Sequence, residues 1–245
     1  MGEIILGNLD HLLVLVFGVL LPYIAVFHSQ PELKNIVFNT TEKIQVYYSN
    51  SLLQWIGVIA IGTLWYFKDR SYVDLGLGSP QMTTISWGLI IGFIIWYAFD
   101  TWWELRSTIQ IEATVQKWKK NIPFLPENWQ ELRHFSFVAI TAGVCEEIIF
   151  RGFCIQYFLA WNQDNLLGTW LAILLPAFLF SVGHVYQGYW AVLKTFLMAI
   201  LLGWVFILSQ SLWIPILLHF LVDMISGYLA MIVLRKAKEK EKQML

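Results

Sequence analysis

The chain has 245 residues, of which 58% are hydrophobic and only 13% are charged, and its formal net charge at pH 7 is −1. Soluble domains carry about a quarter charged residues, and several apolar runs in this chain are long enough to cross a bilayer. The composition therefore excludes an ordinary soluble protein, and the near-neutral charge gives no support for nucleic-acid binding.

The apolar runs predict an all-α fold, a polytopic membrane helix bundle with interfacial amphipathic segments. Seven runs have the length and hydropathy of spans, and the N-terminal half leaves room for an eighth. The predicted spans cover residues 11–27, 52–67, 84–99, 135–161, 168–186, 189–208 and 212–234.

The polar segments between these spans predict interfacial elements. Residues 28–51 mix Lys with Tyr, which favours an amphipathic helix or loop at headgroup level. Gly and Pro punctuate residues 74–80, so this segment is predicted to be an ordered loop rather than a helix. Residues 100–134 interleave Trp with Lys, a pattern that membrane-surface association explains better than single-stranded nucleic acid does. Pro22 predicts a kink in the first span because it removes a helical hydrogen bond.

Basic residues predict the orientation of the bundle. With the N-terminus outside and the C-terminus inside, twelve Lys and Arg residues lie on the inner side and two on the outer side, as the positive-inside rule requires. The chain is predicted to be one structural domain in three parts. These are the N-terminal spans and loops (1–134), a helix bundle that carries the chemistry (135–234) and a charged cytoplasmic tail (235–245).

Seven ionisable side chains lie inside the last four predicted spans, where inserting a charge costs at least about 2.5–3.5 kcal/mol. They are Glu146, Glu147, Arg151, His184, Lys194, His219 and Asp223. Lys194 is close to the start of its span and can reach the inner interface. The other six need partners or a function.

Spacing sorts these side chains. Glu147 and Arg151 are four residues apart, so they share a helix face and can form an ion pair. His219 and Asp223 share a face of another helix for the same reason. Glu146 is rotated about 100° from its neighbour and has no partner in its own helix. Three helices thus offer carboxylates and imidazoles to a common interior.

This set of side chains favours hydrolytic chemistry over packing, because apolar residues would pack there at lower cost. A buried carboxylate with neighbouring histidines can activate a water for amide hydrolysis. The same set can also ligate zinc and leave one position open, so a metal site stays open as the alternative. Neither a Gly-x-Ser-x-Gly elbow nor a His-Glu-x-x-His motif occurs. On one helix, Cys145 and Cys154 would be too far apart for a disulfide.

Three short motifs follow one another along the last predicted spans. They are Glu146-Glu147-Ile148-Ile149-Phe150-Arg151, Phe180-Ser181-Val182-Gly183-His184 and His219-Phe220-Leu221-Val222-Asp223. In this order, each inside an apolar run, they resemble the motifs of the CAAX protease and bacteriocin-processing family, also called the Abi family. Its eukaryotic members include the type II CAAX prenyl endopeptidase. The resemblance is strong over residues 135–230 and covers the N-terminal half only in outline.

The resemblance implies an intramembrane glutamate-type endopeptidase that needs no cofactor, with a zinc enzyme as the alternative. Glu146 would be the general base and, together with His184, would activate a water. His219 and Asp223 would form the oxyanion-side pair. The prenyl-endopeptidase branch often has Asn at the last of these positions. Since an ionised Asp cannot donate a hydrogen bond to an oxyanion, we expect Asp223 to orient His219.

The resemblance also implies supporting residues and partners. Glu147, Arg151 and Phe180 would hold the site in place. The expected partners are the lipid bilayer and a peptide or protein substrate, prenylated or not, and no nucleic acid. The expected location is a prokaryotic cell membrane. Two functions of other classes stay open: a non-catalytic membrane scaffold or immunity protein on the same fold, and a proton-coupled carrier.

Overall fold

The computed structural model describes residues 4–24, 37–162 and 165–243, and over these residues it contains helices and no strands, which confirms the predicted all-α class. The helices are α1 (Asn8–Ile24), α2 (Thr40–Phe67), α3 (Thr84–Leu105), α4 (Thr108–Asn121), α5 (129–162), α6 (Leu166–Val182), α7 (Tyr189–Ser209) and α8 (Trp213–Gln243). Short helical turns lie at Val73–Leu77 and Val185–Gln187.

Three of these helices, α3, α7 and α8, are long and apolar enough to cross a membrane, and α1 and α6 are apolar but shorter. The outward face of α3 carries bare apolar side chains, among them Ile95, which is 64% exposed. Such a surface is typical of a helix that faces lipid. The predicted number of seven or eight spans stays a prediction.

Helix α2 begins twelve residues earlier than the predicted second span. Asn39 caps it: its side chain accepts a hydrogen bond from the Glu42 backbone N–H at 3.0 Å, and Glu42 accepts one from the Asn39 N–H at 2.8 Å. This reciprocal capping box starts a helix. Over residues 40–51, the predicted interfacial segment 28–51 is thus helical and continuous with the predicted second span, and residues 28–36 lie outside the described part of the chain.

The segment 74–80, predicted to be a loop, contains a turn of π-helix over Val73–Leu77. Gly76 makes the turn possible because its φ of 90° is in the left-handed region that favours glycine. Its carbonyl accepts a hydrogen bond from the Leu212 N–H at 2.8 Å. The turn is thus fastened to the start of α8, a long-range contact that local Gly and Pro signals do not indicate.

Helix α5 is the central element, packed along α2 on one side and α8 on the other. Gly143 permits the close approach to α8, since a Cβ there would lie 3.2 Å from the Ile216 carbonyl oxygen. From Glu147 to Ile155 the helix widens to π geometry, in which backbone hydrogen bonds join residues five apart instead of four. This stretch begins within the Glu-Glu-x-x-x-Arg motif.

The π stretch packs against α1, α2, α6 and α7, and together these helices form the largest apolar core. Trp65 and Phe153 are both 1% exposed, with ring centroids 6.0 Å apart, and Phe206 is fully buried. Helix α1 also contains a π segment, Leu15–Leu20, directly before Pro22. The proline predicted to kink the first span is accommodated there by a widened turn.

The two predicted boundaries inside the chain, at 134/135 and 234/235, both fall within helices. Helix α5 begins at Trp129, and α8 continues through the predicted tail to Gln243. The end of α8 packs beside α4, where Lys119 and Glu241 pair at 2.7 Å. The charged tail is thus a helical extension of the bundle over the residues described.

Candidate active site

A cavity of about 810 Å³ lies among helices α2 to α8, and most of the predicted site residues line it. Its lining includes all four residues predicted to be catalytic and two of the three predicted to support them: Glu146, His184, His219, Asp223, Arg151 and Phe180. The seventh, Glu147, lies behind this wall and is fully buried. The spans thus bring the three motifs to one place.

Glu147 joins two of the motifs. Its Oε1 atom is 3.0 Å from Arg151 Nη1, the pairing that the four-residue spacing predicts, and 2.7 Å from His219 Nδ1. Both carboxylate and guanidinium are almost completely buried. The contact with His219 was not predicted from the sequence, because it links side chains 72 residues apart on different helices.

The Glu147 contact determines which nitrogen of His219 faces the cavity. An ionised carboxylate has only acceptors, so Nδ1 carries the hydrogen of this bond. Nε2 is then the atom that faces the site, 3.7 Å from Glu146 Oε2 and 3.7 Å from Asp223 Oδ2. Asp223 was expected to orient His219, and at this distance it is a weaker constraint than Glu147.

Glu146 is held from a helix outside the three motifs. Its Oε1 accepts a hydrogen bond from Gln54 Nε2 on α2 at 2.8 Å, while its Oε2 points toward His219. Motif reasoning did not identify Gln54. A carboxamide inside the apolar run 52–67 was the only sequence signal for it.

His184 follows directly after α6. Its Nδ1 lies 2.9 Å from the Phe180 carbonyl oxygen, which leaves Nε2 for the cavity. The Phe180 ring lies between the two histidines, with its centroid 4.6 Å from that of His184 and 6.1 Å from that of His219. The Arg151 guanidinium lies 4.8 Å from the same ring. Phe180 therefore packs against every part of the site except the carboxylates.

A second ionic cluster lines the wider part of the cavity. Lys194 on α7 lies 2.6 Å from Asp100 and 2.8 Å from Glu104, both near the end of α3. These two carboxylates hold Lys194 at the cavity wall, and its expected reach to the inner interface stays a prediction. Tyr97 fastens the same helix to α8 through a 2.9 Å hydrogen bond with Ser226.

The loop 122–128 covers one end of the cavity, and α2 fastens it there. Lys43, only 2% exposed, donates to the Leu125 carbonyl at 2.8 Å and pairs with Glu127 at 2.9 Å and Glu131 at 3.1 Å. Tyr47 donates to the Phe124 carbonyl at 2.5 Å. Burial alone would raise the pKa of Glu127, but the hydrogen bond and charge of Lys43 outweigh it and hold that pKa below 4.5.

The site side chains do not have the geometry of a metal centre. Across residues 4–24, 37–162 and 165–243, no three His, Cys, Asp or Glu side chains are arranged to share one metal ion. His219 Nε2 lies 3.7 Å from Glu146 Oε2 and 3.7 Å from Asp223 Oδ2. As they are placed, these residues do not form a ligand set.

Comparison with known proteins identifies a related family. The family model described as type II CAAX prenyl endopeptidase Rce1-like matches residues 128–225, a segment that contains all three motifs. The match confirms the resemblance inferred from those motifs. No curated protein and no solved structure matches the chain.

Proposed function

Since residues 128–225 are related to the type II CAAX prenyl endopeptidases, we propose that this protein is an intramembrane endopeptidase in which Glu146 activates a water. One observation carries the proposal. The carboxylate of Glu146 has one oxygen fixed by Gln54, while the other faces the imidazole of His219 across 3.7 Å at the cavity wall. A general base needs this combination of a fixed position and a free acceptor.

The first step is addition of water to the substrate carbonyl. A water between Glu146 Oε2 and His219 Nε2 can contact both atoms, because their 3.7 Å separation is less than the sum of two hydrogen bonds of about 2.8 Å. Glu146 takes one proton, and the hydroxide oxygen bonds to the carbonyl carbon as the C=O π pair moves onto oxygen. His184, with Nε2 facing the cavity, is a second contact for this water.

The second step breaks the peptide bond. The tetrahedral oxyanion collapses, the C–N bond breaks, and Glu146 returns the proton to the leaving nitrogen. A protonated His219 donates from Nε2 to the oxyanion while Glu147 holds Nδ1. Asp223, at 3.7 Å from Nε2, keeps that proton in place. In this scheme Glu147, Arg151 and Phe180 position the catalytic groups.

The proposed substrate is a peptide or protein segment that enters the cavity from the membrane. A lining rich in aromatic and aliphatic side chains suits a lipid-modified segment, and the name of the matching family points to a prenylated one. We therefore include prenylated and unmodified peptides among the candidate substrates.

The test is cleavage by the purified protein in lipid vesicles. Internally quenched peptides would be offered in two forms. One carries an S-farnesyl group on a cysteine that is followed by three C-terminal residues, and the other has the same cysteine unmodified. Glu146→Ala and His184→Ala should stay folded and lose cleavage by about 10²- to 10⁴-fold, the usual contribution of a general base. Glu112→Ala, on the exposed part of α4, is the matched control and should cleave normally.

Three outcomes would overturn parts of the proposal. Full activity in both Glu146→Ala and His184→Ala would exclude this chemistry. A wild-type protein that cleaves neither peptide form nor any peptide in a membrane-extract digest would favour the scaffold function. Loss of activity in chelator, with recovery on adding zinc, would replace the metal-free mechanism with the zinc alternative.

A further inference from the structure

Gln54 makes one hydrogen bond to the candidate site and has one buried polar atom without a partner. Its Nε2 donates to Glu146 Oε1 at 2.8 Å, yet its Oε1 atom is buried and has no hydrogen-bond partner. A buried polar atom left without a partner destabilises a folded protein, and most such atoms in native structures are paired. Gln54 therefore makes one useful hydrogen bond at a cost in stability that an apolar residue of the same shape would not carry.

In the hydrogen bond with Glu146, Gln54 is the donor. Glutamine offers N–H hydrogens, and an ionised carboxylate accepts them. Because Oε1 of Glu146 is occupied in this way, Oε2 is the atom left to accept a proton near His219. The donor also comes from α2, outside the segment 128–225 that the family model covers.

The neighbouring contacts show that α2 holds Gln54 rigidly. Two residues that precede Gln54 on the same helix are buried. Tyr47 is 2% exposed and donates a hydrogen bond to the Phe124 carbonyl, and Ser51 is 1% exposed. Gly57, further along, is packed so closely that a Cβ there would lie 2.8 Å from the Phe17 ring. A side chain carried on such a helix has a defined position relative to α5, as positioning of a catalytic group requires.

We propose that Gln54 is a positioning residue for Glu146, which it holds in the orientation that directs one carboxylate oxygen at the catalytic water. The proposal rests on the proposed function and extends the site to a helix that carries none of the three motifs. The unpaired Oε1 atom lowers the stability of the fold. A buried polar atom without a partner is a departure from good packing of the kind expected at functional sites.

The decisive variant is Gln54→Met, which keeps an unbranched side chain of similar length and removes both polar atoms. In the vesicle assay, kcat should fall about 10- to 100-fold, the effect of losing one hydrogen bond to a charged group, while KM stays within about twofold. The melting temperature of the purified protein should stay equal or rise, because the buried unpaired oxygen is gone.

Two further variants control the result. Gln45→Met changes an exposed polar residue of α2 that is not part of the cavity lining and should leave kcat unchanged. Gln54→Asn keeps the carboxamide but shortens the side chain by one methylene, so it should also lower kcat, and it serves if the Met variant fails to fold. A normal kcat in folded Gln54→Met or Gln54→Asn would overturn the proposal.

The failure of this inference can be told apart from failure of the proposed function. Glu146→Ala is measured in parallel. If it is inactive while Gln54→Met is fully active, only the role of Gln54 is wrong. If Glu146→Ala is active, the proposed function itself is wrong. A drop in melting temperature together with a proportional loss in kcat would mean that Gln54 is structural, and would also overturn the positioning role.

Discussion

Glu147 and His219 share a 2.7 Å hydrogen bond between helices α5 and α8, and the same carboxylate oxygen lies 3.0 Å from Arg151. One fully buried side chain thus neutralises a buried cation and selects the nitrogen of His219 that faces the cavity. The two tasks can be separated experimentally, because the first concerns folding and the second concerns only the site.

We predict that Glu147→Leu and Arg151→Met will each reduce the yield of folded protein, whereas the double variant will recover it. Breaking a buried pair leaves one charge uncompensated and costs about 3–5 kcal/mol, while replacing both members by apolar residues is often neutral. The measurement is the melting temperature in detergent together with the monodisperse fraction on size-exclusion chromatography.

The same double variant should cleave peptide poorly, because Nδ1 of His219 has lost its acceptor. A protein that regains both folding and full activity would show that Glu147 has no role in orienting His219.

Asp223→Asn should retain most of the cleavage activity. Asn can donate a hydrogen bond to an oxyanion, and His219 keeps its main orienting bond to Glu147. Asp223→Ala leaves neither a hydrogen-bond donor nor an acceptor at this position and should lower kcat about 10-fold or more. Rates of the two variants in the vesicle assay decide the role of Asp223. Equal and severe losses would mean that its negative charge is essential.

Gly152→Ala should destabilise the protein by about 1–3 kcal/mol through overpacking. A Cβ at this position would lie 2.8 Å from the Leu75 carbonyl oxygen, a backbone atom that cannot move aside cheaply. Gly62→Ala on α2 is the matched control, since a Cβ there meets nothing within 4 Å. It should stabilise the helix by about 0.5–1 kcal/mol. Thermal unfolding in detergent compares the two, and a neutral Gly152→Ala would contradict the packing described here.

Lys43→Met should loosen the loop that covers the cavity and lower the stability by about 3–5 kcal/mol, because it leaves the buried carboxylate of Glu131 without a cation. Lys240→Met removes an exposed ion pair with Glu112 and should cost less than about 1 kcal/mol. Faster limited proteolysis between residues 122 and 128 in the Lys43 variant alone would support the attachment. Identical cleavage in both variants would contradict it.

Stability should also fall in acid because of Glu127. The pKa of Glu127 is lower in the folded protein than in the unfolded chain, so its contribution is present above the unfolded pKa and is lost as the pH falls through the folded value. Melting temperatures measured from about pH 6 to about pH 3 should decline less steeply for Glu127→Gln than for the unaltered protein. Parallel curves would show that this carboxylate does not contribute.

Hydropathy predicted the helices well, because lipid-facing and core-facing residues are both apolar and run in long stretches. It did not indicate that the second helix begins at Thr40, in a stretch where Lys43 is buried. The partner that buries it, Glu131, is 88 residues away in sequence, and a local pattern cannot predict such a pairing. The capping box at Asn39 was the local signal that the helix begins early.

The candidate site was predicted to the level of its motifs and no further. Spacing placed Glu147 with Arg151 and His219 with Asp223, since residues four apart share a helix face. The hydrogen bonds that cross between helices, from Gln54 to Glu146 and from His219 to Glu147, depend on how α2, α5 and α8 pack. Sequence spacing carries no information about that packing.

The π stretch from Glu147 to Ile155 makes the length of this segment as important as its residues. Each widened turn holds one residue more than an α-turn, so the two ends of α5 are offset in phase around the helix axis. Deleting a single residue would turn everything beyond it by about 100°. Tyr157, which bonds to His11 on α1, would then face elsewhere. A change in the number of residues in this segment should therefore disrupt the packing of α5 even where no buried side chain is lost.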